Sequence, residues 1–279
     1  MDPTPPSHNG HEQGDSPREP QDDLVRSSPA QGAVRALTQS LKALAHNEPL
    51  APYRRFRRAA DPITRTDMSR LGTDYGGWAV PSELVDPSWV CYCGGVGLDI
   101  SFDLALIEQY GCTVHAFDPT PSSIEYVKRL APDHSRFRFF PWGLGSADEV
   151  VRFYAPDYSD TNYSAANLHN TKEFFEAQCR SIPSIMSELG HDHVDFLKLD
   201  IEGAEYAVLQ SVLTDAVEPQ VLCVEFHTRG KGMRQVLDAV RQLRRRGYVA
   251  AWVNCWEATF VLEHGRDTEY SRRSETTGA

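Results

Sequence analysis

A short apolar run that ends in two carboxylates, residues 196–205 (FLKLDIEGAE), constrains the fold of this chain more than any other stretch. The run is typical of a buried strand, and Gly203 separates it from a helical segment at 204–212. In an open α/β sheet, ligands bind outside the carboxyl ends of the strands. Asp200 and Glu202 are therefore predicted to face a crevice, with capping of the following helix as the plainer alternative.

The rest of the chain alternates strands and helices, which predicts an α/β fold. Ser122 is predicted to cap one helix, and Pro183 is predicted to open another that stops near Gly190. The last two strands are predicted to form an antiparallel pair that closes the sheet. Besides the strand that ends at Asp200, the predicted strands are 89–93, 112–117, 136–140, 150–154, 221–227, 248–253 and 258–262, and the predicted helices are 101–110, 122–130 and 233–246, with 171–189 helical but interrupted.

The two ends of the 279-residue chain differ in composition from its middle. Residues 1–30 and 265–279 are polar, with almost no large apolar side chains, and are predicted to be disordered tails. Residues 31–70 are predicted to be a helical lead-in, because apolar residues recur at helical spacing over 33–46. Residues 71–264 are then predicted to form one α/β domain.

Charge and cysteine usage exclude several classes of protein. A formal net charge of -11 argues against a nucleic-acid partner, since phosphate binding needs concentrated positive charge. The six cysteines include no C-x-x-C pair, so buried free thiols in a reducing cytoplasm are favoured over metal ligands. No apolar run is long enough for a membrane span, and a signal peptide is not expected. The chain is therefore predicted to be cytoplasmic, without a membrane partner.

A glycine turn (GGVGLD) follows the first predicted strand and precedes a helix. A strand, a glycine turn, a helix and a second strand that ends in an acid are the typical order of half of a nucleotide-binding site. Gly95 and Gly97 would allow a ligand close to the backbone, and Asp118 would accept the ribose hydroxyls. A dinucleotide fingerprint needs a third glycine, whereas Asp99 and Asp103 place negative charge where a pyrophosphate would lie. The pattern favours S-adenosylmethionine, which is cationic and has no phosphate, over NAD.

Three further segments supply candidate contacts to cofactor and substrate. The Gly-rich aromatic loop at 72–78 is either a flap over the pocket or a simple turn, and the polar loop at 157–170 either contacts substrate or is plain surface. Trp142 and Gly143 are predicted to stack on and edge the adenine, with a core tryptophan at a turn as the alternative. The substrate candidates are Tyr75 and Trp78 in the first loop and Asn162 and Ser164 in the second.

The chain resembles the FkbM-like methyltransferases over roughly residues 70–262. The segments that carry the resemblance are residues 89–118, the HAFDP segment at 115–119, the FLKLDIEGAE string and the VEFH segment at 224–227. The resemblance implies a Rossmann-like class I methyltransferase fold: a mostly parallel seven-stranded sheet with an antiparallel last strand and helices on both faces. It also implies S-adenosylmethionine as cofactor and a small-molecule hydroxyl, on a natural product or sugar, as acceptor. The family's first motif reads like Asp-x-Gly-x-Asn-x-Gly, whereas this chain has CYCGGVG at 91–97, as in a divergent branch.

Methyl transfer to a hydroxyl is helped by a positioned base, typically by about 10²–10⁴-fold. The candidates are His227, Asp200 and Glu202, in that order, because the unperturbed pKa of histidine lies near neutrality. A core histidine is the alternative for His227. Asp200 is also a candidate cofactor contact, and Glu225 a substrate contact. These acids could instead hold a magnesium-like cation, which is not favoured.

Two rival functions remain open at this point. The first is an NAD-dependent oxidoreductase, against which the missing third glycine and the acids near the turn argue. The second is a non-catalytic nucleotide-binding protein, which the departure at Cys91 and Cys93 keeps open. The retained acids at the strand ends favour an enzyme over such a protein.

Overall fold

The computed structural model describes residues 50–130, 135–156, 162–168, 170–227 and 232–263. The predicted tails and the predicted helix at 33–46 lie outside these ranges. Among the helices within them, none combines the length and apolar character that a membrane span needs. The helices are α1 (Leu50–Ala60), α2 (Ser101–Tyr110), α3 (Pro121–Leu130), α4 (Ile182–Leu189), α5 (Glu205–Thr214) and α6 (Met233–Arg245). The strands are β1 (Met68–Leu71), β2 (Trp78–Pro81), β3 (Val90–Gly94), β4 (Thr113–Phe117), β5 (Phe137–Phe140), β6 (Gly143–Gly145), β7 (Glu149–Tyr154), β8 (Phe174–Ser181), β9 (Phe196–Leu199), β10 (Val221–Glu225), β11 (Tyr248–Asn254) and β12 (Glu257–Leu262).

A seven-stranded sheet in the order β11-β12-β10-β9-β3-β4-β5 forms the centre of the molecule. Strands β5, β4, β3, β9 and β10 pair in parallel, whereas β12 runs antiparallel to both β10 and β11. The predicted mostly parallel sheet with an antiparallel last strand is therefore confirmed. The last strand of the chain, β12, lies between β10 and β11 rather than at the edge of the sheet. The antiparallel pair β11–β12 is therefore joined to the rest of the sheet through β12.

Side chains alternate across the sheet and build a core on each face. On β3, Tyr92 belongs to the core of one face, which also contains residues of α1, α5 and α6. Cys91 and Cys93 pack with Phe102 and Leu106 of α2 on the other face. The two cysteines lie on one face because they are two positions apart on a strand. The prediction of helices on both faces is confirmed. All six cysteines of the chain are free thiols, and all but Cys255 are buried.

The segment at 171–189 corrects one prediction. Residues 174–181 form strand β8 and not a helix, because β8 pairs antiparallel with β7 and in parallel with β6 in a separate three-stranded sheet. This pairing with distant segments overrides the local helical pattern. The second half is as predicted: α4 has Pro183 in its first turn, and Gly190 (φ 72°) ends it.

Two smaller differences concern helix starts and the lead-in. Helix α3 begins at Pro121, so Ser122 lies in the first turn and is not the N-cap; proline suits this position because its missing N–H would have no helical partner. Helix α1 packs onto the domain, with the Phe56 ring 5.4 Å from that of Phe226 and 5.7 Å from that of Trp256. Strands β1 and β2 form an antiparallel hairpin that was not predicted.

A buried histidine on β4 makes the stability of the fold depend on pH. His115 is 1% exposed, and neither of its ring nitrogens has a hydrogen-bond partner among the described residues. Burial, with the nearby positive charges of His191 and Arg138, lowers the pKa of His115 to about 4. The phenol of Tyr92 lies in the same cluster but bonds to His191, not to His115.

We expect the free energy of unfolding to fall by about 1–2 kcal/mol between pH 7.5 and pH 5 because of this residue. Across this window the unfolded chain binds a proton at His115 and the folded chain does not, so acidification favours unfolding. A His115→Phe variant should lose this part of the pH dependence in urea unfolding measured at both pH values. An equal fall in the variant and the parent would show that His115 is not the cause.

Candidate active site

The carboxyl ends of β3, β4, β9 and β10 meet at one edge of the sheet and surround a cavity of about 450 Å³. All four residues of β9 are buried, although Lys198 also lines the cavity, and the first carboxylates that line it come directly after the strand. These are Asp200 and Glu202, which both line it. The predicted crevice at the end of this strand is thus present in the fold.

The glycine turn after β3 forms one wall of the cavity and is held in place by Asp118. Gly95 and Gly97 have φ values of 82° and 56°. One oxygen of the Asp118 carboxylate accepts the N–H groups of Val96 and Gly97, both at 2.9 Å, and the other accepts that of Thr120 at 2.8 Å. A carboxylate has about four acceptor positions, so one remains for a ligand hydroxyl.

Asp99 connects the glycine turn to the aromatic loop at 72–78. Its Oδ1 accepts the N–H of Ser101 at the start of α2 at 2.8 Å, and its Oδ2 accepts the Thr73 hydroxyl. Burial raises the pKa of Asp99, but these hydrogen bonds outweigh it, so the net pKa is below the usual value. Tyr75, which is 76% exposed, lines the cavity from this loop. Asp103 instead faces the core, where burial raises its pKa to about 6.

Lys198 fixes the glycine turn against β9, a role that the sequence reasoning missed. The side chain is 6% exposed, and its Nζ donates to the carbonyl oxygens of Gly94 at 3.3 Å and Gly95 at 2.6 Å. The same atom lies 3.7 Å from Oδ2 of Asp200. A buried ammonium normally has such partners, because an unpaired buried charge is costly. The signal in the sequence was a charged residue within a buried apolar run.

The imidazole of His227 lies among four carboxylates. Its Nδ1 is 2.8 Å from Oε1 of Glu205, a fully buried acid, and its Nε2 is 3.4 Å from Oε2 of Glu202. Oxygens of Asp200 and Glu225 lie 3.9 Å from the same Nε2. Asp200, Glu202 and His227 offer ligand atoms within 4.8 Å of one another, which a metal ion could share.

This environment removes the reason for ranking His227 first as the base. Burial by itself lowers the pKa of His227, but the negative charges of Glu205, Glu225 and Glu202 outweigh it and place the net pKa well above the usual value. Burial also raises the pKa of Glu202 and, together with the charge of Asp200, that of Glu225.

Glu205 is the second residue whose role the sequence reasoning missed. Besides His227, its carboxylate accepts the N–H of Ile201 at 3.1 Å and that of Gly203 at 3.0 Å. These hydrogen bonds hold the loop between β9 and α5 in one conformation. The signal was its place as the last acid of the FLKLDIEGAE string.

Three of the predicted contacts lie outside the lining of the cavity among the described residues. Trp78 is buried in β2, with the Lys198 ammonium 5.7 Å from its ring centre. The ring centre of Trp142 lies 4.9 Å from that of Phe140, and the guanidinium of Arg180 lies 4.6 Å from it. Ser164 is fully buried, and its hydroxyl donates to the carbonyl oxygen of Glu202. The predicted residues that do line it are Tyr75, Gly95, Gly97, Asp99, Asp118, Gly143, Asn162, Asp200, Glu202, Glu225 and His227.

Comparison with known proteins adds evidence to this geometry. The chain is 29% identical over 143 residues to "Probable methyltransferase-like protein 24" of Rattus norvegicus and 27% identical over 143 residues to the Homo sapiens protein of that name. Each alignment covers 50% of this chain and 33% of the relative, so the match spans about a third of their length.

A solved rRNA methylase from Streptococcus thermophilus aligns with a TM-score of 0.35 at 14% identity, over 65% of this chain and 89% of that one. The family model described as "Methyltransferase FkbM domain" matches residues 96–250. This match takes in the glycine turn from Val96 onward, Asp118, the FLKLDIEGAE string and His227. Because it spans more than half of the sequence, the chain belongs to the FkbM methyltransferase domain family.

Proposed function

We propose that this protein is an S-adenosylmethionine-dependent methyltransferase that methylates a hydroxyl group of a small molecule. The observation that carries the proposal is one cavity walled on one side by a glycine turn tied to Asp118 and on the other by Asp200 and Glu202. The first wall suits an adenosine, and the second suits a proton transfer at the acceptor.

The glycine turn and its acids fit this cofactor better than a dinucleotide. A pyrophosphate would need the free N–H groups at the start of α2, but Asp99 already accepts the N–H of Ser101 there. Gly97 has no side chain, and nothing lies within 4 Å of the place where its Cβ atom would be, so the backbone of the turn is open to a ligand there. We assign Asp118 to the ribose hydroxyls and Asp99 and the two glycines to the rest of the cofactor.

When bound, the cofactor supplies a methyl group on a sulfonium. The residues of this chain would then align the acceptor and remove its proton. Glu202 is placed for this task, because the amide of Asn162 donates to its Oε1 while its Oε2 faces the imidazole of His227. The proton of the hydroxyl would pass to the carboxylate of Glu202.

The size and lining of the cavity support a small acceptor. Ligand pockets for small molecules commonly span about 300–1,000 Å³, which includes this cavity. Its acidic lining would repel the phosphates of a nucleic acid. The free thiols support a reducing compartment, and we keep the cytoplasm as the proposed location.

Calorimetry with S-adenosylhomocysteine and with NAD separates this proposal from the oxidoreductase. We expect S-adenosylhomocysteine to bind and NAD to give no heat. A Glu202→Gln variant should bind S-adenosylhomocysteine with unchanged affinity and lose about 10²–10⁴-fold in methyl transfer to a panel of small hydroxylated compounds. Glu176→Gln is the matched control, since Glu176 lies outside the cavity lining and pairs with Arg152 at the surface.

Tight binding of NAD without binding of S-adenosylhomocysteine would overturn the proposal. Binding of S-adenosylhomocysteine together with unchanged methyl transfer by Glu202→Gln would keep the enzyme class and overturn the assignment of the base.

A further inference from the structure

We propose that Asp200, Glu202 and His227 bind a divalent transition-metal ion, with Glu225 as a fourth ligand. The ion would lie in the cavity already described, and its use in methyl transfer rests on the proposed function. Metal binding itself can be measured without that reaction. The sequence favoured no metal, and the arrangement of the ligand atoms in the folded chain changes this view.

The distances around Nε2 of His227 suit a metal ion better than a proton. The nearest oxygen, on Glu202, is 3.4 Å away, and those of Asp200 and Glu225 are 3.9 Å away. Hydrogen bonds from N–H to oxygen span about 2.7–3.2 Å, so none of the three oxygens is within normal reach. Ligands about 2.1 Å from a common ion lie about 3.0–4.2 Å apart, and these three distances fall within that span.

The other ring nitrogen of His227 is fixed in the way that metal-binding histidines require. Nδ1 lies 2.8 Å from Oε1 of Glu205, whose side chain is fully buried. The N–H groups of Ile201 and Gly203 hold the same carboxylate, so it cannot turn away. A carboxylate on one nitrogen selects the tautomer whose other nitrogen has a free lone pair. In the neutral ring, that lone pair faces the three acids.

The carboxylate ligands are positioned by contacts outside the cluster. The amide of Asn162 donates to Oε1 of Glu202, which leaves Oε2 for the ion, and the Ser164 hydroxyl holds the carbonyl of the same residue. Lys198 lies 3.7 Å from Oδ2 of Asp200, whereas Oδ1 is the atom closest to His227. Glu202 and Asp200 therefore each present one oxygen to the ion while the other oxygen has a protein partner.

The ligand types indicate which ion would bind. Mg²⁺ and Ca²⁺ prefer oxygen ligands alone, whereas one imidazole with two or three carboxylates suits Mn²⁺, Fe²⁺ or Zn²⁺. An ion of this class lowers the pKa of a bound hydroxyl. In methyl transfer, the ion would make the acceptor hydroxyl more acidic, and its proton would pass to a carboxylate of the cluster. The oxygen would bond to the methyl carbon while the methyl–sulfur bond of the cofactor breaks, which releases S-adenosylhomocysteine.

The test is a titration of the full 279-residue chain with Mn²⁺ alone, followed by electron paramagnetic resonance. We expect one Mn²⁺ per chain and a nitrogen coupling in the pulsed spectrum from His227. His227→Gln should abolish the nitrogen coupling. Asp200→Asn should weaken binding by at least about 10–100-fold, because loss of even a partner that only orients a metal ligand commonly costs this much. Asp192→Asn, which removes an exposed acid outside the cluster, is the control and should change nothing. Thermal unfolding of each variant confirms that it is folded.

Absence of Mn²⁺ binding, or binding that Asp200→Asn and His227→Gln leave unchanged, would overturn the metal site. If S-adenosylhomocysteine still binds in that case, the proposed function stands without the metal. Binding of Mn²⁺ with the nitrogen coupling, in a protein that ignores S-adenosylhomocysteine, would establish the metal site and overturn the proposed function instead.

Discussion

A Gly95→Ala variant should bind S-adenosylhomocysteine at least about 100-fold more weakly than the parent and lose about 3 kcal/mol or more of its free energy of unfolding. A Cβ atom at Gly95 would lie 1.8 Å from the carbonyl oxygen of Asp200, and the residue has a φ of 82°. Backbone atoms cannot yield as a flexible side chain can. Either the glycine turn or the end of β9 must move. The contact between these two segments fixes both walls of the cavity.

Gly97→Ala is the matched control for this experiment. Gly97 also has a positive φ, 56°, but a Cβ atom there would meet nothing within 4 Å. The substitution should therefore cost only the backbone strain of a left-handed residue, about 1–2 kcal/mol. Urea unfolding and calorimetry of both variants separate the effect of backbone strain from that of the steric clash with the Asp200 carbonyl oxygen. Equal effects of the two substitutions would contradict the account of Gly95.

A Glu205→Gln variant should lose about 2–3 kcal/mol of its free energy of unfolding, in the range for a hydrogen bond to a buried charged group. The carboxylate accepts from the backbone of Ile201 and Gly203 and from His227. An amide offers one acceptor oxygen and turns N–H groups toward partners that also donate. The loop bearing Glu202 should then lose its fixed position, and methyl transfer should fall at least tenfold, which requires only about 1.4 kcal/mol in the barrier.

Glu176→Gln is again the control, because the exposed pair of Glu176 with Arg152 should contribute less than about 1 kcal/mol. Thermal unfolding with urea titration measures the stability of both variants. Unchanged stability of Glu205→Gln would show that the buried carboxylate does not hold the loop. Lost stability with full methyl transfer would show that the position of Glu202 is set elsewhere.

Local sequence pattern was sufficient for much of the fold. Helix α2 has the bounds expected for it, 101–110, and β9 ends where the apolar run meets Asp200. Such elements follow from the sequence because a buried parallel strand needs a continuous apolar run. Strand β8 was mistaken for helix, because its pairing with β7 and β6 depends on segments far away in the chain.

The sequence by itself determined the α/β class, the glycine turn and the acids at the strand ends, since each depends on residue types within a few positions. Only the tertiary structure decided how these parts act together. Lys198 donates to Gly95, which is 103 positions away in the chain. His227, which follows β10, lies close to Asp200 and Glu202, which follow β9. The raised pKa of His227 follows from that meeting, because the pKa of a buried side chain depends on which charges the fold places beside it.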